Sequence, residues 1–187
     1  MMRHSSALRG FTLIELLVTL SIAAVLMMVV IPGLGTFQRN AKLTSLTNSL
    51  IASLNTARAE AMKRSKYAML VPVNADGTWT GGWKVIIDVD LSRTLTAGDI
   101  TILDSTGEVP GYVSVTGTDV ATGSTAYVLF DAQGYSRSAT GFAQPTLTIA
   151  RTDVSGNEVY QQQRKIKIAI TGRAASCKPT SATDPNC

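Results

Sequence analysis

The 187-residue sequence predicts an α+β fold in which one long N-terminal helix packs on an antiparallel β-sheet head. Three observations point there. A 21-residue run from Phe11 to Ile31 is apolar but for a single charge, Glu15. Leu43, Leu46, Leu50, Leu54, Ala57 and Ala61 then recur at three- and four-residue spacing, which is one stripe of an amphipathic helix. Beyond Lys66 the pattern changes to short strands divided by turn residues. The length suits one compact domain plus one long element.

Residues 1–10, MMRHSSALRG, carry Arg3 and Arg9 and no acid, so they are expected to stay cytoplasmic while the chain beyond the apolar run is exported. As a helix, residues 11–31 extend about 32 Å, enough for a hydrocarbon core of ~30 Å. No Ala-x-Ala-like site follows the run, so an ordinary secretory signal fits poorly. Pro32, Gly33 and Gly35 lower helix propensity at the membrane boundary, and a kink or local melting on assembly is expected there. Residues 32–66 form the amphipathic half-helix, with Arg39, Lys42, Arg58, Glu60, Lys63 and Arg64 mostly off its apolar stripe.

The head, residues 67–187, is expected to hold strands at Tyr67–Val73, Trp83–Val89, Ile100–Leu103, Tyr112–Val115, Ala126–Phe130, Thr146–Ala150 and Arg164–Ile170. The Asp76-Gly77 pair signals a hairpin between the first two. Leu91–Gly98, Thr116–Thr125 and Ser136–Pro145 read as surface loops from their Ser, Thr and Gly content. Cys177 and Cys187, in a chain with an export-type N-terminus, read as one disulfide formed outside the cytoplasm.

The composition excludes much chemistry. The only histidine, His4, lies among the first ten residues, so a chain cut after them has no imidazole for base catalysis or zinc binding. No catalytic residue, cofactor or metal site is assigned, and no enzyme activity is expected. Asp88, Asp90 and Asp99 hint at an oxygen-ligand loop, but Arg93 occupies the position where a calcium loop needs glycine, and they read as solvated hairpin-end residues. Net charge is +4, falling to about +2 without Arg3 and Arg9 (fifteen Lys and Arg against thirteen acids), so nucleic-acid binding must rest on local clusters. Two exist: Arg58, Lys63, Arg64 and Lys66, and Arg164, Lys165, Lys167, Arg173 and Lys178. Strand alternation places Arg164 outward and Lys165 and Lys167 on the opposite parity.

A carboxylate inside an apolar span costs ~2.5 kcal/mol or more unless paired, so Glu15 demands a cation. The segment Gly10-Phe11-Thr12-Leu13-Ile14-Glu15 resembles the type IV prepilin motif. The resemblance implies that a prepilin peptidase cuts between Gly10 and Phe11 and that Phe11 is N-methylated. The α-amine of Phe11 then pairs with Glu15 of a neighbouring subunit and sets the stagger of a filament. In the half-helix, residues 57–64 (ARAEAMKR), and in the head, Gly82-Trp83-Lys84-Val85, Phe130-Asp131-Ala132-Gln133-Gly134 and Ile168-Ala169-Ile170-Thr171-Gly172-Arg173 are similar to the FimT/FimU and GspH group of minor pilins and pseudopilins.

The group implies a type IV pilin fold and a minor pilin that helps initiate assembly of a type IV pilus and sits at or near its tip. The other readings are a DNA-binding minor pilin for DNA uptake and a type II secretion pseudopilin. The implied partners are the prepilin peptidase, other minor and major pilins and the inner membrane, with the head periplasmic before assembly and at the cell surface afterwards. Double-stranded DNA is a further candidate. Some FimT-like members bind it through Gly-Arg-x-Arg, where this chain has Gly172-Arg173-Ala174-Ala175, so the second arginine is missing. Lys178 replaces it only if the Cys177–Cys187 loop folds back.

Overall fold

The computed structural model describes residues 10–156, 158–181, 184 and 187, without the side chains of 29–33 and 158. The leader expectation therefore lies almost wholly outside the described residues. The chain divides into two units, Met1–Asn40 and Ala41–Cys187.

Helix α1 (Leu13–Arg64) supplies the helical part of the first unit and continues into the second. In the first unit its large apolar side chains stand in the open, from Leu13 at 76% exposure to Met28 at 77%, as does Phe11 just before it. The backbone is helical through Pro32, while the side chains on which the expected kink turns lie outside the described ones. Among the described residues no helix is long and apolar enough to cross a membrane; the described side chains of the apolar run stop at Met28.

In the second unit the stripe Leu43, Leu46, Leu50, Leu54, Ala57 and Ala61 is buried throughout, as its spacing requires. The helix ends at Arg64, and Ser65 turns the chain out through a left-handed conformation (φ 51°). Among the described residues nine strands follow: β1 (Tyr67–Pro72), β2 (Trp83–Asp88), β3 (Ile100–Asp104), β4 (Val113–Gly117), β5 (Val128–Phe130), β6 (Ser136–Arg137), β7 (Thr146–Arg151), β8 (Gln163–Ile168) and β9 (Ala174–Cys177). They form two antiparallel sheets, β3-β2-β1-β5-β6 and β4-β7-β8-β9, where the sequence suggested one. The stripe of α1 packs in one core with Leu70, Val85, Ile87 and Phe130 of the first sheet and Val113, Leu147, Ile166 and Ile168 of the second. Trp83 fixes the helix by donating its indole N–H to the Ser53 hydroxyl at 2.9 Å.

Strands β1, β2 and β5 of the first sheet are buried on both faces, because Met69, Val71, Ile86, Tyr127 and Leu129 form a second cluster behind them. Strand β6 lies within a stretch read as loop, and β9 was not anticipated. Both are short, without the alternation that marks a strand.

Candidate functional site

The chemistry-bearing residues fall into three places. At the N-terminus, Thr12 caps α1 and Glu15 occupies the third helical position. Glu15 donates its backbone N–H to the Thr12 hydroxyl at 3.3 Å and accepts the Thr12 backbone N–H at 3.0 Å and the Thr12 hydroxyl at 3.1 Å. This is a capping box, written in the sequence as Thr-x-x-Glu but not anticipated from it. Glu15 thus has a partner within its own chain, one residue from the Phe11 nitrogen. Gly10 is exposed, and a Cβ added to it would meet nothing within 4 Å. The fold of this chain does not require glycine there.

The second place joins the two sheets. Arg58, from α1, donates its Nε–H to the carbonyl of Gly134 at 3.0 Å. Gly134 lies in the β5–β6 turn, which Asp131 organises by accepting backbone N–H bonds from Gln133 and Tyr135 at 3.0 and 2.9 Å and the Arg137 Nε–H at 2.6 Å. The β8–β9 turn seats against it, with the Ser136 N–H donating to the Ile170 carbonyl at 2.9 Å. Gly172 closes that turn at φ +76°, where an added Cβ would strike the Gly134 carbonyl oxygen and crowd the Arg58 side chain. The Phe130–Gly134 and Ile168–Arg173 segments are thus parts of one junction, a fact invisible to local periodicity.

Around this junction the basic residues separate. Arg58 is committed to Gly134, while Lys63 and Arg64 pair with Glu60 at 3.2 and 2.6 Å. Arg164 does not point outward as expected: it shares the parity of buried Ile166 and Ile168 on β8. It is half-buried, with its Nη1 donating to the carbonyls of Gln161 and Gln163 at 3.2 and 2.8 Å. Burial lowers its pKa from the ordinary arginine value. Lys165 and Lys167 occupy the other face of β8, opposite Cys177 and Ala175 in the register. Arg173 and Lys178 flank β9, so four of the five C-terminal cations gather around one strand and Arg164 stands apart. Cys177 and Cys187 form a disulfide with Cα atoms 5.6 Å apart.

The third place is the loop between β2 and β3. Asp88, read as solvated, is 1% exposed. Its two carboxylate oxygens accept the backbone N–H groups of Ser92 and Arg93, both at 3.1 Å. Asp90 accepts Ser92 N–H at 3.0 Å, and Asp99 accepts Val89 and Thr96 N–H at 3.1 and 2.8 Å. Burial pushes the Asp88 carboxyl up, with Asp90 and Asp99 adding to the rise and the Arg93 and Ser92 N–H groups opposing it. The three carboxylates offer oxygens within 4.8 Å of one another, a spacing a hard cation could use, yet each already serves the loop backbone. Arg93, bordering Val71 on one side and Tyr67 and Leu129 on the other, extends this loop over the second hydrophobic cluster. Between the loop, the end of α1 and the β5–β6 turn runs a groove of about 370 Å³, bordered by Lys66, Asp88, Leu91, Asp131 and Arg137.

Comparison with known proteins places these features. The family model described as type II transport protein GspH matches residues 46–172, and the prokaryotic N-terminal methylation motif matches residues 6–31. Two crystal structures of the Pseudomonas aeruginosa (strain PAO1) type IV minor pilin FimU share the fold. One gives a TM-score of 0.55 at 18% identity, covering 78% of this chain and 99% of that one. The other gives 0.52 at 20% identity, covering 74% and 94%. No curated protein sequence matches the chain. The architecture is the type IV pilin fold, α+β with a long N-terminal helix on antiparallel sheets.

Proposed function

Because this chain belongs to the type II transport protein GspH family of pilin-like proteins, we propose that it is a minor pilin that helps initiate a type IV pilus and is incorporated at or near its tip. The observation carrying this reading is the apolar start of α1, exposed along its described length and opening directly after Gly10 on the Thr12–Glu15 cap. Such a surface needs lipid or other helices around it. The chain would be held in the inner membrane by residues 11–31 with its head in the periplasm, and would pass from lipid into a bundle of pilin helices. Gly10 supports processing, since nothing in the fold calls for a glycine at that exposed position and its small size suits a peptidase cleft. Prepilin peptidase would then free the Phe11 amine for methylation, and Glu15 would exchange its contact with Thr12 for the amine of a neighbour.

A second reading, a pseudopilin of type II secretion, is favoured by the family description itself. The DNA-receptor reading is weakened on two counts: Ala175 stands where the second arginine is needed, and Arg164 is half-buried with its Nη1 donating to the carbonyls of Gln161 and Gln163.

Mass spectrometry of the membrane-extracted chain tests the processing step. The expected species begins at N-methylated Phe11, and Gly10→Val retains residues 1–10. An intact Met1 in filament-associated protein would sink the reading. Co-fractionation with sheared pili separates the first reading from the secretion machinery.

A further inference from the structure

The four-stranded sheet ends on β9, and the register fixes what its open side presents. The Ala169 N–H bonds the Arg173 carbonyl at 2.9 Å, so hydrogen-bonded pairs recur at Lys167↔Ala175 and Lys165↔Cys177. The N–H and C=O groups of Ala174 and Ser176 therefore point away from β8, and no group among the described residues bonds them. Sheet edges are normally blunted by charge, proline or a bulge on the strand itself. Ala174, Ala175 and Ser176 offer none of these, and the last two are exposed. Cations stand around the strand instead: Arg173 before it, Lys178 after it, and Lys165 and Lys167 beside it on the outer face. None of the four makes an ion pair among the described residues.

We propose that β9 is a docking edge for an extended acidic segment of a neighbouring subunit, which adds as a fifth strand and sets its carboxylates against these four cations. The assignment rests on the reading of the chain as an assembling subunit. At ~4.8 Å per strand the added strand lies about 10 Å from β8, a distance that a lysine and a glutamate span together across a side chain as short as Ala175. A polypeptide strand is favoured over nucleic acid by the edge itself. Ala174 and Ser176 present carbonyls as well as N–H groups; a partner strand satisfies both, whereas phosphates accept hydrogen bonds only and leave the carbonyls unmet.

The test uses the full-length protein in detergent micelles and a short fluorescent peptide of alternating glutamate and valine. Binding is expected, weakening with salt, and falling about tenfold with Lys165→Glu plus Lys167→Glu and with Ser176→Pro. Because the proline could disturb the strand, the same peptide methylated on every backbone nitrogen, so that neither of its edges can pair, is titrated against unaltered protein, where its binding should disappear. Equal binding of the methylated and unmethylated peptides overturns strand addition. A short DNA duplex that binds more tightly than the peptide, and is lost on the double lysine reversal, overturns the choice of partner. Sheared filaments separate this proposal from the reading beneath it. A chain found in filaments whose β9 ignores the peptide defeats the edge alone. A chain that binds the peptide but is absent from filaments defeats the assembly reading and leaves the edge standing.

Discussion

Gly172 owes its identity to the turn it closes, and this bears on the arginine beside it. With φ at +76° and the Gly134 carbonyl against the space a Cβ would fill, Gly172 admits no other side chain without moving the β5–β6 turn or Arg58. Gly172→Ala is therefore expected to destabilise the full-length protein by about 2 kcal/mol in denaturant unfolding, combining left-handed strain with a backbone clash. An unchanged midpoint would show that the two turns do not pack as described. Arg173, immediately after, is exposed, and its place is a consequence of that turn. Arg164 teaches the complementary lesson. Ile166 and Ile168 share its parity, so the sequence already held the sign that this arginine follows the buried side of β8.

Among the elements, the β2–β3 loop depends on three carboxylates that hold its backbone over the second hydrophobic cluster. Asp88, the buried one, has its pKa raised above the ordinary 3.8. A carboxyl raised on folding contributes stability that is complete below 3.8 and is lost as pH climbs through the folded value. Compared with Asp88→Asn, the wild-type protein should gain melting temperature on acidification across that window, and a difference that grows toward neutral pH would contradict the assignment. The elements also differ in how openly the sequence announces them. The buried stripe of α1 and strand β7 could be read directly from a repeating period, and β1 and β2 from near-continuous apolar runs bounded by turn residues, because all of these are local properties. Strand β6 has two residues and β9 four, mostly small, so neither carries a period. The division into two sheets rests on pairings such as Ala68↔Phe130, between segments far apart in sequence, and no local pattern encodes it. Of the site residues, Glu15 and the cysteine pair were legible as chemistry out of place, whereas the role of Arg58 appears only once two distant turns meet over it.

The whole molecule comprises two units with opposite needs: a head that buries its own core, and an N-terminal helix that leaves apolar side chains open to whatever surrounds it. In the proposed account Glu15 links them to assembly, capping its own helix in the free subunit and receiving the Phe11 amine of a neighbour in the filament. Glutamine separates these duties, since its amide carbonyl can still accept from the Thr12 backbone N–H while offering no charge to an ammonium group. The decisive measurement is the quantity of processed chain in sheared filaments from cells carrying Glu15→Gln, set against its quantity in the membrane. The account expects wild-type levels in the membrane, normal removal of residues 1–10, and about a tenfold or greater loss from filaments, the scale of a lost ion pair in lipid. Incorporation at the wild-type level would contradict it, because the charge on Glu15 would then have no part in assembly.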